Sequence, residues 1–194
     1  MKFFRFVASG ILAALVSAST MAATVEFSGV KLEDSVDVRG SKLQINGAGV
    51  RYKGPFKVYV AGLYLGKKAG SLDEVVNQPG FKRMSVTMVR DIDAGELGKL
   101  LTRGVEDNMG KADMSKLVPG LIRMGQLFSD HKKLVVGDNF MIDWVPGTGT
   151  VITVKGKVEG DPFKEAEFFK ALMSIWMGNS PADWKLKESL LAIK

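Results

Sequence analysis

The sequence contains no cysteine and only one histidine, His131, among its 194 residues. The absence of cysteine excludes disulfides, thiol catalysis and cysteine-based zinc sites. A single histidine excludes a histidine-cluster metal site and does not favour a hydrolytic triad. The segment Gly47-Ala48-Gly49 lacks the third glycine of a dinucleotide-binding loop and lies between strand-like residues. The sequence therefore predicts no metal and no cofactor.

Charge is spread along the chain without a long run of either sign. The formal net charge is +6, but the longest basic runs are the pairs Lys67-Lys68, Lys82-Arg83 and Lys132-Lys133. Scattered cations of this kind are typical of a solvated surface, and no aromatic RNA-binding motif accompanies them. We expect no nucleic-acid partner.

The N-terminus has the three parts of a secretory signal peptide. A basic start, Met1 to Arg5, precedes an apolar core from Phe6 to Val16 and a tail of small residues that reaches Ala23. The apolar core is shorter than the roughly 20 residues that span a bilayer. We predict a signal peptide over residues 1–22, cleaved after Ala22 or Ala23, and a periplasmic protein with no stable membrane span after cleavage. The alternative is an uncleaved membrane anchor.

The remaining residues, 23–194, are predicted to form one α+β domain. Alternating apolar residues predict strands at 24–36, 37–46, 45–66 (two strands), 81–90, 134–145 and 149–159. Helical spacing and capping residues predict helices at 71–80, 94–108 (N-cap Asp93), 115–129, from Asp161-Pro162 to Gly178 and from Asp183 onward. Strands first and helices later favour an antiparallel sheet covered on one face by helices.

Residues 45–66 carry the strongest local pattern. They read as two strands joined at Gly54-Pro55, with Arg51 in the first strand between apolar and aromatic neighbours. On alternation, Tyr59 and Ala61 share one face of the second strand. Arg51 is either a surface residue or a buried one, and a buried arginine needs a partner because an unpaired interior charge costs several kcal/mol. A ligand carboxylate or phenolate is one possible partner.

Several motifs resemble the chalcone isomerase family, and most closely its bacterial, secreted chalcone isomerase-like members. The resemblance spans about residues 25–194 and implies an antiparallel sheet under a layer of helices, with a ligand cleft between them. The similar segments are Gly47-Ala-Gly-Val-Arg51, Phe56-Lys-Val-Tyr59-Val-Ala-Gly62-Leu-Tyr64-Leu65, Ser174-Ile-Trp176-Met-Gly178, Ser180-Pro181 and Leu186-Lys-Glu-Ser-Leu190-Leu191.

The resemblance implies an anion-holding role for Arg51, which matches the family arginine. True chalcone isomerases add a phenolate to an enone within one molecule, and the enzyme stabilises the anion. The other catalytic positions of that reaction are not retained. The family's threonine falls at Tyr59, and its tyrosine falls at Glu96 or Leu97. Its asparagine falls at Arg103 or Gly104, and its C-terminal threonine or serine falls near Asp183. An arginine without these partners argues against the isomerase reaction.

Non-catalytic relatives bind fatty acids and hold the carboxylate with an arginine and a tyrosine, which implies that role for Arg51 and Tyr59. The helices would supply an apolar wall, with Leu97, Leu100, Leu101 and Leu121 as candidates. The leading hypothesis is a non-catalytic periplasmic binding protein for a fatty acid or a similar amphipathic carboxylate.

Two alternatives remain open at the level of sequence. One is an isomerase or intramolecular lyase acting on a chalcone-like or unsaturated acyl substrate, with Arg51 as oxyanion stabiliser. The other is an envelope scaffold without a small ligand, in which a protein carboxylate pairs with Arg51. The neighbours of Arg51, and any cavity beside it, distinguish these hypotheses.

Overall fold

The fold centres on one curled antiparallel sheet of seven strands. The computed structural model describes residues 23–193, so the predicted signal peptide, 1–22, lies outside the described residues. The strands are β1 (Thr24–Phe27), β2 (Val30–Glu33), β3 (Ser35–Val38), β4 (Ser41–Lys53), β5 (Phe56–Leu65), β6 (Lys82–Met88), β7 (Ile92–Asp93), β8 (Lys133–Leu134), β9 (Asn139–Val145), β10 (Gly149–Val154) and β11 (Lys157–Phe163). The sheet order is β11-β10-β9-β6-β5-β4-β3, and β1–β2 and β7–β8 form two small separate ladders. The predicted α+β class is confirmed.

Helices pack on one face of this sheet and enclose the main core. They are α1 (Leu72–Asn77), α2 (Ala94–Glu106), α3 (Lys111–Ser129), α4 (Ala166–Met177) and α5 (Trp184–Leu190). Their buried side chains form one cluster with the inward residues of β5, β6, β9 and β10. A smaller cluster of Val38, Leu43 and Tyr64 lies on the opposite face. No helix within residues 23–193 is long and apolar enough to cross a membrane.

The hairpin predicted over residues 45–66 is confirmed. The strands β4 and β5 pair antiparallel, and the register places Arg51 opposite Tyr59. Their turn contains Gly54 with a positive φ of 59°, a conformation that glycine adopts without strain. Tyr59 and Ala61 face the helices, as the alternation predicted.

The predictions for the last hairpin and the following helix were wrong. The turn lies at Lys155-Gly156, where φ is positive at both residues (51° and 79°), so it divides the predicted strand 149–159. Asp161-Pro162 does not begin a helix but lies in β11, and α4 begins at Ala166. Pro162 is tolerated there because β11 is an edge strand, where a missing N–H breaks no inner ladder.

Other boundaries shift because turns and packing override local pattern. The predicted strand 24–36 is split by a turn at Ser28-Gly29, where φ is positive at both residues (51° and 82°). The predicted strand 134–145 is split by Gly137, at φ 88°. The helix predicted from Ser115 begins at Lys111, which leaves Pro119 in its interior. That proline removes one helical hydrogen bond. The helix continues past it because Leu117, Leu121, Met124 and Phe128 are buried on one side.

The pair Lys82-Arg83 corrects the expectation of a solvated basic surface. Lys82 lies on the helix-facing side of β6 with Met84, and its side chain is buried. Arg83 faces the opposite side, where Nε and Nη2 donate to the two carboxylate oxygens of Asp143 at 2.7 and 2.6 Å. Successive side chains of a strand point to opposite faces of the sheet, so one of these two adjacent cations in β6 has to face the core.

Candidate functional site

Arg51 and Tyr59 lie side by side in the wall of a cavity of about 280 Å³. They occupy opposed positions on β4 and β5, so that both side chains point to the helix-covered face. The cavity lies between these strands, α2, α4 and the segment Ser180–Ala182 that precedes α5. The structure therefore brings the predicted anion-holding residues together beside an internal space.

Asp183 is the acidic neighbour of Arg51. Its Oδ2 lies 4.0 Å from Nη1 of Arg51, and the two side chains are only 12% and 20% exposed. The same carboxylate caps α5 by accepting from the backbone N–H groups of Lys185 and Leu186, at 2.9 and 3.2 Å. It also accepts from the N–H of Tyr52 at 2.9 Å. Asp183 is thus fixed by three backbone donors and approaches Arg51 without a close hydrogen bond.

The glycines of β4 explain how Asp183 reaches this position. At Gly47 an added Cβ would overlap the carbonyl oxygen of Ser189 in α5, and at Gly49 it would approach the Ser189 side chain to 3.0 Å. The helix can pack directly on the strand because both positions lack a side chain. Asn46, which is buried, fastens the far end of α5 by donating to the carbonyl of Leu190 at 2.7 Å. The glycine-rich strand therefore positions the N-terminus of α5 beside Arg51.

Tyr59 is a hydrogen-bond donor held neutral by its surroundings. Its side chain is 7% exposed, and its hydroxyl accepts a hydrogen bond from Nε1 of Trp176 at 2.9 Å. Burial raises the pKa of Tyr59 to about 12, and the Trp176 hydrogen bond and the Arg51 cation lower the pKa without reversing that effect. Within residues 23–193 the hydroxyl donates to no protein acceptor. Its proton is therefore available to a ligand in the cavity.

Trp176 is a site residue whose role the sequence did not indicate. Its spacing along α4 correctly indicates a core position, because its side chain is 1% exposed. Its indole N–H is the informative group, since a buried N–H requires an acceptor. The only signal that pointed toward the site was its place in the Ser174–Gly178 motif, and the pairing with Tyr59 needed the fold.

The predicted apolar wall is only partly assembled at this cavity. Leu97, Leu100 and Leu101 of α2 line it together with Ile175 of α4. Leu121 does not line it, and the prediction that α3 contributes to this wall was wrong. Leu121 lies instead in a groove of about 390 Å³ between α2 and α3. The reason is that α3 packs on α2, α4 and β11, at the opposite edge of the sheet from β4.

An outer groove continues from the cavity toward solvent. This groove has a volume of about 580 Å³ and shares Lys53, Val58, Ile92 and Leu100 with the cavity. Its outer end is formed by the exposed ring of Phe56, over which the guanidinium carbon of Arg90 lies 4.7 Å from the centroid. The cavity and the groove together form a continuous, largely apolar path that begins at Arg51.

The polar groups around the cavity are weakly cationic in sum. Arg51, Lys53 and Arg103 line it with Asp107, and Asp183 lies beside Arg51, which leaves one cation in excess. Within residues 23–193 no cluster of three acidic, histidine or cysteine side chains could hold a metal.

Among the positions aligned with the family's other catalytic residues, Tyr59 brings a hydroxyl to the cavity and Asp183 lies beside Arg51, but the remaining positions bring no matching polar group. Glu96 lines only the outer groove. Leu97 and Gly104 line the cavity but carry no polar side chain, and the side chain of Arg103 is 78% exposed.

Comparison with known proteins agrees with this architecture. A solved structure of a fatty-acid binding protein from Arabidopsis thaliana matches with a TM-score of 0.70 and 16% sequence identity, over 87% of this chain and 96% of that chain. No curated protein matches the sequence. The family model described as chalcone isomerase-like matches residues 23–192. Since this match covers nearly all of the described residues, the chain belongs to the chalcone isomerase-like family.

Proposed function

We propose that the protein is a non-catalytic binding protein for a fatty acid or a similar amphipathic carboxylate. The observation that carries this proposal is that Arg51 and Tyr59 lie together at one end of an apolar cavity, and that the Tyr59 hydroxyl donates to no acceptor among residues 23–193. An anionic head group and an apolar tail match the two ends of this path. The comparison protein from Arabidopsis thaliana, which is named a fatty-acid binding protein, supports the proposal through its fold.

The head group binds where charge and donors converge. Arg51 offers parallel N–H groups, and a planar guanidinium suits bidentate contact with a carboxylate. Tyr59 adds a neutral O–H, which donates at any pH well below its pKa of about 12. Asp183 makes no close hydrogen bond to the guanidinium, because its Oδ2 stands 4.0 Å from Nη1.

The tail leaves the head group along apolar side chains. The cavity alone, at about 280 Å³, lies just under the roughly 300–1,000 Å³ usual for small-molecule sites. A longer chain passes over Val58 and Leu100 into the outer groove. Chain length therefore determines how much of the groove is covered, and affinity should increase with each added methylene until the groove ends.

The protein acts in the periplasm in this proposal. Support comes from the three-part N-terminal sequence over residues 1–22, which resembles a cleaved signal peptide. Cell fractionation followed by mass measurement of the mature chain tests it. A mature N-terminus at Ala23 or Thr24 in the periplasmic fraction is expected, and an intact Met1 in the membrane fraction would favour the uncleaved anchor.

A fatty-acid titration of the delipidated protein tests the binding function. Arg51→Met keeps the aliphatic part of the side chain and should weaken binding by about 2–5 kcal/mol, because a partly buried charge pair is lost. Arg103→Met is the matched control. It removes a cation from the same cavity, but from a side chain that is 78% exposed, and should leave affinity nearly unchanged.

The outcomes separate the three candidate functions. Fatty-acid binding that is lost in Arg51→Met and retained in Arg103→Met supports the proposal. Turnover of a chalcone that disappears in Arg51→Met would instead favour an isomerase. Absence of binding and of turnover, with Arg51→Met lowering only the free energy of unfolding, would favour a scaffold role for the Arg51–Asp183 pair.

A further inference from the structure

A second pocket opens on the helix-covered face, apart from the cavity at Arg51. Its volume is about 260 Å³, and it lies where the end of α1 and the first turns of α4 meet β6 and β9. Its inner wall is formed by Lys82, Trp144 and Phe169, and it shares no lining residue with the cavity or the outer groove. The function proposed above makes no use of this pocket.

Lys82 reaches this pocket as a buried amine with few partners. The residue is 2% exposed, and its Nζ makes one long hydrogen bond, 3.3 Å to the carbonyl of Gly80. None of the ion pairs within residues 23–193 involves Lys82, so no carboxylate lies within 4.0 Å of its Nζ. An ammonium has three donors, so two of them are unsatisfied by protein. A buried charge normally has a full set of partners.

Two aromatic rings form the apolar part of the pocket. The ammonium lies 5.8 Å from the ring centroid of Trp144 and 5.9 Å from that of Phe169, near the outer limit of about 6 Å for cation–π attraction. The rings stand 5.6 Å apart, tilted by 45°. They stabilise the cation weakly and leave a wedge-shaped wall against which an apolar body can pack.

The charges around Lys82 favour a monoanion. From α4, Glu167 and Lys170 line the pocket, and Lys170 also pairs with Asp73 of α1 at 3.8 Å. The strand β9 contributes Trp144, while its neighbour Asp143 faces the other side of the sheet and pairs with Arg83. Lining charges therefore sum to one excess cation, which a single carboxylate neutralises.

We propose that this pocket is a second ligand site, which binds a small carboxylic acid through Lys82 and packs the apolar body of that acid against Trp144 and Phe169. The carboxylate accepts from the two unused donors of the ammonium. The pocket volume restricts the ligand to a compact body, such as one aromatic ring or a short aliphatic chain, unlike the long path at Arg51. The two sites are independent because they share no lining residue.

Binding at this site depends on pH in a definite direction. Burial lowers the pKa of Lys82 to about 8 in the free protein. The acid binds the protonated amine, whose population falls about tenfold between pH 7 and pH 9 if the pKa is about 8. The dissociation constant should therefore rise about tenfold over that range. A bound carboxylate should in turn raise the pKa of Lys82, since an adjacent negative charge favours the ammonium.

The test is an NMR titration of the full mature chain with phenylacetate. The expected result is a shift of the Trp144 indole N–H and of the Lys82 ε-carbon, with saturation. Phenylacetamide, which has the same ring without the charge, should bind at least about tenfold more weakly, as a lost charge-assisted hydrogen bond implies. Lys82→Met should abolish the phenylacetate shifts, and Lys82→Arg should retain part of the affinity.

Arg51→Met separates this site from the cavity at Arg51. It should leave the Trp144 and Lys82 shifts unchanged whether or not the fatty-acid proposal holds. Three results would overturn the second site: unchanged phenylacetate affinity in Lys82→Met, equal affinity for phenylacetamide, or affinity that does not fall between pH 7 and pH 9.

Discussion

Asp183→Asn should strengthen the binding of an anionic ligand, because it removes a negative charge that lies beside Arg51. In the free protein the Asp183 carboxylate lies 4.0 Å from the Arg51 guanidinium, in a partly buried setting. It competes with a ligand carboxylate for the cation and repels that carboxylate directly. Asparagine keeps the shape of the side chain and removes both effects.

The magnitude follows from the distance and the exposure. Two unit charges 4 Å apart attract by about 4 kcal/mol at an effective dielectric constant of about 20, but desolvation and screening leave roughly 1 kcal/mol for pairs near a surface. When the ligand no longer competes with this attraction, its binding free energy improves by the same amount, which corresponds to about fivefold tighter binding. Asparagine caps helices as well as aspartate, but with one oxygen fewer it loses one backbone contact, so unfolding should become easier by about 1 kcal/mol.

The assay is displacement of a fluorescent fatty acid at constant, low ionic strength, with urea unfolding measured in parallel. Asp107→Asn is the matched control because Asp107 lines the same cavity and pairs with Arg103 at 4.0 Å, but is 56% exposed. Solvent screening should limit its effect to about twofold or less. Weaker binding by Asp183→Asn, or an equal gain in both variants, would contradict the role given to Asp183.

Three further predictions concern stability. The free energy of unfolding should rise with pH between about 8 and 10, by up to about 3 kcal/mol, because folding lowers the pKa of Lys82 to about 8 while the unfolded chain keeps that proton to about 10.5. Urea titrations at several pH values check this prediction, and the rise should be absent in Lys82→Met. Arg83→Ala should cost about 3–5 kcal/mol because it leaves the buried Asp143 unpaired, and adding Asp143→Leu should recover much of that loss in thermal unfolding. Gly47→Ala should destabilise by about 2 kcal/mol or more because its Cβ meets a main-chain oxygen of α5, whereas Gly66→Ala, whose Cβ meets nothing within 4 Å, should be nearly neutral in the same assay.

The β4–β5 hairpin could be predicted because its signals are local. Glycine and proline mark the turn, and alternation assigns Tyr59 and Arg51 to faces of the strands. The same logic failed at Asp161-Pro162, where a good helix start stands in an edge strand. The decisive feature there was the turn at Lys155-Gly156, which requires positive φ at a lysine and has no strong signature in sequence.

The site was harder to predict than the fold because its members come from distant parts of the chain. Trp176 and Tyr59 are 117 residues apart, and each reads as an ordinary core aromatic by itself. The sequence suggested that Lys82 and Arg83 are a pair of surface cations, although the position of Lys82 two residues before the inward Met84 implied that Lys82 is buried. Periodicity identifies which face a residue occupies, whereas the partner across the core follows only from how helices pack on the sheet.

The state of Tyr59 bears directly on whether this site binds or catalyses. A tyrosine that acts as a catalytic base must be deprotonated near neutral pH, but burial raises the pKa of Tyr59 to about 12. Its oxygen already accepts the Trp176 N–H, so the group presents only its proton to the cavity. The neighbouring anion, Asp183, has its oxygens engaged by three backbone donors, which hold it in place as a cap. A cation and a neutral donor fixed beside an apolar path are suited to hold a carboxylate without moving a proton, as the proposed binding function requires.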